Sequence, residues 1–289
     1  MKALVFPGQG SQRRGMGAGL FERFPELTRR ADAVLGYSVA ELCRNDPEGK
    51  LSLTRYAQPA IFVVNALHFA ALQESGECDA QYAAGHSLGE YSALLASGAV
   101  DFDQALGLVK ARGEAFEAAG EGAMAAILGL KPSRVRAVIE NSGVNDVDIA
   151  NFNTDDQVVI AGSRRSLNAV RAPLEEAGCS YFRLLDVSGA FHSRRMRAAR
   201  QAMAPMLRRT TFCQMKIPVI ANVTSRPYDA GRIADFLIEQ IDNPVRWAES
   251  VRYLLRQGVD DFCEIGDRKI LTGMIAVIRK DAAENKACL

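Results

Sequence analysis

At 289 residues, with 48% apolar and 24% charged side chains, the chain can build one large globular domain, or one domain carrying a smaller insert, around a sizeable core. Lys and Arg number 35 against 34 Asp and Glu, a balance that argues against nucleic acid as the main partner, because phosphate binding shows as a basic excess. No stretch approaches the roughly 20 apolar residues that span a bilayer, and the apolar run at residues 3–6 is too short before Pro7 to be a secretory signal. Cys43, Cys78, Cys179, Cys213, Cys263 and Cys288 form no CxxC pair and no metal-ligand spacing, and Cys288 stands one place from the end, not where a prenylation box needs it. A reduced, cytoplasmic protein is expected, without membrane contact.

Strand-like and helix-like segments alternate along the chain, the pattern of an α/β domain. Ala3, Leu4, Val5 and Phe6 read as a buried first strand that runs into a glycine-rich loop at Pro7-Gly8. Residues 58–72 carry Ile61, Val64, Leu67 and Leu72 at helical spacing, with Pro59 suited to a first turn. A strand at 82–85 then enters a sharp turn, followed by helices at 90–96 and 102–118. From Met124 the texture changes to strand 124–130, helix 132–141, strands 148–152 and 157–161, helix 166–177 and strand 181–185. That order is the split βαβ arrangement of a ferredoxin-like module. Helix and strand segments then resume: helix 195–207, strand 219–222, helices 233–241 and 247–257, and strand 261–265. The expectation is an α/β-hydrolase-like large domain over residues 1–122 and 194–289, with a ferredoxin-like subdomain inserted at 123–193.

Gly85-His86-Ser87-Leu88-Gly89 fits G-x-S-x-G, in which a serine sits on a tight strand-to-helix turn. The turn exposes the hydroxyl, and the Leu88 backbone N–H after it can point at a developing oxyanion, helped by the positive end of the following helix. A strand before and a helix after are the context this motif requires. A serine nucleophile needs a base within hydrogen-bond reach, and the chain has three histidines. His68 lies inside a helix as a packed or surface residue. His86 adjoins Ser87 and so points away from it. His192, in the small-residue loop Val187-Ser188-Gly189-Ala190-Phe191-His192-Ser193, is the remaining candidate.

Several motifs in register now resemble one family. Phe6-Pro7-Gly8-Gln9-Gly10-Ser11-Gln12, the Ser87 elbow with Glu90-Tyr91, Lys110-Ala111-Arg112-Gly113-Glu114 and Gly189-Ala190-Phe191-His192-Ser193 look like the motifs of malonyl-CoA:acyl-carrier-protein transacylases, in order and at family spacing. The segments from Gln240 to Trp247 and Glu264-Ile265-Gly266 are similar too, so the resemblance covers residues 4–275. It implies Ser87 as nucleophile and His192 as base, with Gln9 and Leu88 supplying N–H groups to the oxyanion. It also implies that the Gln240 carbonyl orients the histidine where a triad would have a carboxylate, which adds no second negative charge beside an anionic substrate. Arg112, by itself a surface helix arginine, matches the residue that grips the substrate's free carboxylate.

Phe191 beside the base narrows the pocket, which favours malonyl over methylmalonyl, as in the polyketide acyltransferases the chain resembles. The segment Thr54-Arg55-Tyr56-Ala57-Gln58-Pro59-Ala60 looks most like the free-standing acyltransferases that serve modular polyketide synthases in trans. One departure stands out: Gly266-Asp267-Arg268 replaces the usual Gly-Pro-Gly, in a loop not expected to touch the chemistry.

The implied reaction carries a malonyl group from coenzyme A to the phosphopantetheine thiol of an acyl carrier protein, by a monomer that needs no cofactor or metal. Carrier proteins are acidic, so Arg164, Arg165, Arg194 and Arg195 are candidates for a basic docking rim. Two rivals remain. An acyl hydrolase would share the nucleophile, but Arg112 and Phe191 speak against a site open to varied acyl chains. A non-catalytic carrier-binding scaffold would need a damaged dyad.

Overall fold

The computed structural model describes residues 1–287; Cys288 and Leu289, and with them the tail examined for prenylation, lie outside the described residues. Among the described residues, eight strands form two sheets. β1 (Lys2–Phe6), β2 (Tyr82–Gly85), β7 (Val219–Ile220) and β8 (Asp261–Glu264) make a parallel sheet in the order β7-β2-β1-β8. β3 (Ala123–Leu128), β4 (Val147–Phe152), β5 (Gln157–Gly162) and β6 (Tyr181–Leu184) make an antiparallel sheet in the order β4-β5-β3-β6. This is the ferredoxin-like order, with both crossover helices, Pro132–Asn141 and Arg164–Glu176, folded onto one face.

The parallel sheet is covered on both sides, and the strict two-residue alternation of a strand divides its side chains. Leu4, Phe6, Ala83 and Val219 join the core beneath the helices Thr54–Glu74 and Phe102–Ala118, while Ala3, Val5, Ala84 and Ile220 face Trp247, Val251 and Ile275. In the second sheet Ala123, Ala125, Ile127, Val158 and Ile160 pack under its own helices. The opposite face, with Met124, Val159 and Ala161, joins the core of the large domain. Two backbone hydrogen bonds tie the sheets' supports together, Phe152 N–H to the Val245 carbonyl and Val245 N–H to the Ala150 carbonyl, both 2.9 Å.

Two details differ from the sequence reading. The helix expected at 58–72 begins at Thr54, so Pro59 lies inside it and not in its first turn. Hydrogen bonds of Thr54 and Gln58 with the Gln9 side chain hold this added first turn in place, ahead of the start the proline suggests. The helices Pro25–Leu35, Val39–Asn45 and Ile270–Ala287 were not anticipated. Five described cysteines carry free thiols, and among the described residues no helix is long and apolar enough to cross a membrane.

The turn after β2 lies hard against β1. A Cβ on Gly89 would sit 2.0 Å from the Phe6 carbonyl oxygen, and one on Gly85 would sit 1.9 Å from the Gly89 carbonyl carbon. No side chain fits at either place, because every atom in the way is backbone. Gly89→Ala is therefore expected to lower stability by about 3 kcal/mol or more, read as a fall in the denaturant midpoint, whereas the same change at the uncrowded Gly107 should be neutral or mildly stabilising.

Candidate active site

β2 delivers Ser87 at its carboxyl end with φ at 53°, the left-handed region that a non-glycine residue enters only when its surroundings hold it there. Asn222, just beyond β7, does the holding. Its Oδ1 accepts the Ser87 N–H at 2.8 Å, and its Nδ2 donates to the Gly85 carbonyl at 2.7 Å. His192 is strained in the same way, with φ at 58°, and its Nε2 lies 2.7 Å from Ser87 Oγ.

The other imidazole nitrogen, Nδ1, is 2.8 Å from the backbone oxygen of Gln240. Gln240 is the last residue of the helix Ile233–Gln240, where carbonyls lack intrahelical partners and the helix dipole is negative. A carbonyl can only accept, so Nδ1 carries the proton and Nε2 offers its lone pair to the serine hydroxyl. Burial and the nearby Arg112 charge push His192 down to about 3, so the imidazole is neutral at physiological pH. The other two histidines are occupied elsewhere. His86 turns away from Ser87 to meet Asn153 Oδ1 at 2.9 Å and the Trp247 ring, and His68 meets Asp267 Oδ1 at 2.6 Å.

Arg112 is 1% exposed. Nη1 donates to Gln58 Oε1 at 2.8 Å, and Nη2 donates to Ser87 Oγ at 3.1 Å and Gln240 Oε1 at 3.0 Å. All three acceptors are neutral. The guanidinium carbon sits 4.0 Å from the centroid of the Phe116 ring, and the buried Nε has no partner. Burial lowers the guanidinium to about 10, which leaves it charged at neutral pH. A full positive charge thus stands beside the serine hydroxyl with no anion bonded to it.

Ser87, His192, Phe191 and Gln9 line one cleft of about 640 Å³, walled on the other side by Met124 and Val159 of the second sheet. Phe191 packs on Phe116 with ring centroids 5.1 Å apart, and both line the cleft next to His192. The Gln9 loop lies against the elbow: a Cβ on Gly8 would be 2.4 Å from the His86 oxygen and 3.4 Å from the Leu88 nitrogen. The Gln9 side chain is held by Thr54 Oγ1 at 3.2 Å and Gln58 Nε2 at 3.4 Å.

Of the residues expected from the sequence, Gln9, Ser87, Phe191 and His192 line this cleft, while Leu88, Arg112 and Gln240 are buried behind it. Gln58 and Phe116 also line it, and Glu90 and Asn222 lie buried beneath the elbow. Phe116 could have been found as the i+4 neighbour of Arg112 on its helix. Gln58, Glu90 and Asn222 carry no comparable signal, since each acts on a group far away in the chain. The Gly266-Asp267-Arg268 loop is closer to the site than expected. Asp267 accepts from the Gly17 N–H at 3.0 Å and pairs with Arg13, while Arg268 lines the cleft. Of the proposed basic rim, Arg194 is paired with Asp148 and Arg195 with Asp146, whereas Arg164 and Arg165 stand exposed.

A strained serine bonded to a neutral histidine, with an unpaired buried arginine beside it, is a geometry for acyl transfer involving an anionic acyl group. Residues 3–287 match the acyl transferase domain family. The chain belongs to that family. Among curated relatives it is 47% identical over 96% of its length to the polyketide biosynthesis protein ThaF of Burkholderia thailandensis. It is 43% identical over 99% of its length, and all of the relative's, to the polyketide biosynthesis malonyl CoA-acyl carrier protein transacylase BaeC of Bacillus velezensis. The malonyl CoA-acyl carrier protein transacylase of Escherichia coli is 38% identical over 94% of this chain and 91% of that one.

The chain spans 24% of ThaF and 37% of the similar PksE of Bacillus subtilis. A solved malonyl CoA-acyl carrier protein transacylase from Burkholderia pseudomallei superposes with a TM-score of 0.93 at 44% identity, covering 97% of this chain and 98% of that one. That structure thus shares the whole fold described above, both sheets included.

The two hydrogen bonds of Asn222 are what the elbow strain rests on. Asn222→Ala should cost about 2 kcal/mol, because the Ser87 N–H and Gly85 carbonyl both lose their partner. Differential scanning calorimetry should show this as a fall in Tm of about 4 °C, and Asn222→Asp, which keeps the acceptor but sets a buried carboxylate oxygen against the Gly85 carbonyl, should lose at least as much.

Proposed function

We propose that the chain is a malonyl-CoA:acyl-carrier-protein transacylase in which Ser87 carries the acyl group as an ester. The Arg112 guanidinium carries the substrate reading. It is charged, shielded from water and bonded only to neutral oxygens, so a substrate carboxylate would complete it with charge-assisted hydrogen bonds. An acyl group without a carboxylate would leave that charge unpaired, at a cost of several kcal/mol.

In the first half-reaction His192 Nε2 takes the Ser87 proton as Oγ bonds to the thioester carbon. The negative charge that develops on the carbonyl oxygen is received by the N–H groups of Gln9 and Leu88. The carbon–sulfur bond then breaks, and His192 returns its proton to the departing coenzyme A thiolate. In the second half-reaction the phosphopantetheine thiol gives its proton to the same nitrogen, its sulfur attacks the malonyl ester, and Ser87 leaves with the proton restored. Because Gln240 presents a neutral carbonyl, His192 is oriented without a carboxylate bonded to it. Phe191, packed on Phe116, fills the space that a branch at the acyl C2 would need. None of these steps calls on a cofactor or metal, and we place the reaction in the cytoplasm, carried out by a monomer.

Identity of 43–47% to proteins of polyketide biosynthesis, against 38% to the Escherichia coli enzyme, favours service to a polyketide synthase over the fatty-acid pathway. Intact-protein mass spectrometry after brief incubation with malonyl-CoA, followed by holo carrier protein, tests the reading. The malonyl adduct should form in the wild type, be absent in Ser87→Ala, persist in water and move to the carrier. Clearance by water ahead of the carrier would establish a hydrolase instead. Arg112→Ala should cut malonyl transfer relative to acetyl transfer by about 100-fold, the loss of two charge-assisted bonds.

A further inference from the structure

Beneath the elbow, on the side away from the cleft, lies a buried carboxylate that the reaction above does not use. Glu90 is fully buried in the first turn of the helix Gly89–Ala96. Its Oε1 accepts from the Asn222 N–H at 3.1 Å and from the Tyr228 hydroxyl, and its Oε2 accepts from Gln240 Nε2. The same Gln240 amide nitrogen donates to the Ser87 carbonyl at 2.9 Å, and its oxygen receives Arg112 Nη2 at 3.0 Å. Gln240 is itself fully buried, and its backbone oxygen holds His192.

We propose that Glu90 is the positioning residue for substrate selection: by holding the Gln240 amide nitrogen it turns the amide oxygen toward Arg112 and so fixes the guanidinium beside Ser87.

An ionised carboxylate can only accept, so the Gln240 amide must face it with its NH2 and face Arg112 with its oxygen. A protonated or amide side chain at position 90 can donate, which removes that compulsion. The Ser87 carbonyl is then the one obligatory acceptor left on that side, a weaker hold than the carboxylate gave, and each excursion of the amide turns N–H groups toward the guanidinium, which repels them. Arg112 would lose a third of its fixed acceptors, and with it the alignment toward a substrate carboxylate. This rests on the acyl-transfer reading above and extends it to a residue that touches neither substrate nor nucleophile side chain.

The groups facing Glu90 are Tyr228 from the loop after β7, Arg112 from the helix Phe102–Ala118 and Tyr91 on its own helix, with His192 one hydrogen bond beyond Gln240. Burial pushes Glu90 up to about 7, against the opposing pull of the Tyr228 and Gln240 hydrogen bonds, so the ionised form is present above that pH and lost as pH falls through it. Selectivity for a carboxylated acyl group should therefore fall on the acid side. The comparison is a ratio, so effects on Ser87 and His192 that are common to both acyl groups cancel.

The experiment measures kcat/KM for acylation by malonyl-CoA and by acetyl-CoA from about pH 5.5 to 9, a range that brackets the ionisation of a raised carboxyl. It uses the wild type, Glu90→Gln and Tyr228→Phe. In the wild type the malonyl-to-acetyl ratio should rise with pH through an ionisation near 7. Glu90→Gln should lower the ratio at high pH by about tenfold or more and leave it flat with pH, with the malonyl KM carrying most of the change. Tyr228→Phe removes one donor to the carboxylate and should move the ionisation to higher pH while the high-pH plateau stays. A Glu90→Gln ratio and profile equal to the wild type would overturn the proposal. So would a Tyr228→Phe profile that does not move, which decides the matter if the Glu90 variant fails to fold. A wild type that forms no malonyl adduct would bring down the acyl-transfer reading and this inference with it; a wild type that does, with unchanged variants, brings down this inference alone.

Discussion

A guanidinium kept from water and bonded only to neutral oxygens sets the terms for the rest of the site. Burying a lone charge is expensive, and proteins ordinarily relieve it with a carboxylate. Here Arg112 receives three neutral acceptors and the face of Phe116 instead. These reduce the cost without neutralising the charge, and a residual demand for an anion is left beside the serine. Gln58, Gln240 and Phe116 come from three different helices, so the large domain has to be assembled before the guanidinium has a place to sit.

The same logic accounts for the absence of a carboxylate behind the histidine. A helix end supplies an unpartnered carbonyl at no charge, and Gln240 sits at such an end. The imidazole is fixed as the tautomer with a free Nε2, and burial together with the Arg112 charge keeps it neutral. Both members of the dyad hold left-handed backbone angles, so their meeting at 2.7 Å relies on neighbours that resist relaxation. Asn222 resists it under Ser87. Those neighbours bridge the end of β2, the segment after β7 and the end of a helix, which couples the precision of the site to the packing of the parallel sheet.

The ferredoxin-like subdomain supplies a wall. One face of its sheet is closed by its own helices, and the other gives Met124 and Val159 to the cleft. The chain returns from β6 through a loop that carries Phe191 and His192, so both side chains arrive at the cleft on the segment that leaves the insert. The two main-chain bonds between Val245 and the β4 segment hold the wall in register with the helix end that orients His192. The Asp267 substitution ties the glycine-rich loop to the C-terminal segment through Gly17, Arg13 and His68, a role proline could not fill because it has no acceptor side chain.

Much of this was legible in the linear chain, because local rules write themselves into short segments. The G-x-S-x-G turn needs glycines where backbone meets backbone, so Ser87 announces itself. With three histidines, elimination reached His192. The alternation of strand and helix, and its change near Met124, gave the two-sheet architecture. The Pro59 position and the helices between residues 20 and 45 were not legible, since tertiary contact extends one and stabilises the others. Glu90, Asn222 and Gln58 were beyond reach for a different reason. Each is defined by what it donates to or accepts from, and those partners lie 49 to 150 residues away in the chain. Sequence by itself determined which groups are chemically able to react; the tertiary structure alone decided which charge would be left unpaired beside them, because pairing and desolvation exist only once distant segments have closed around a common interior.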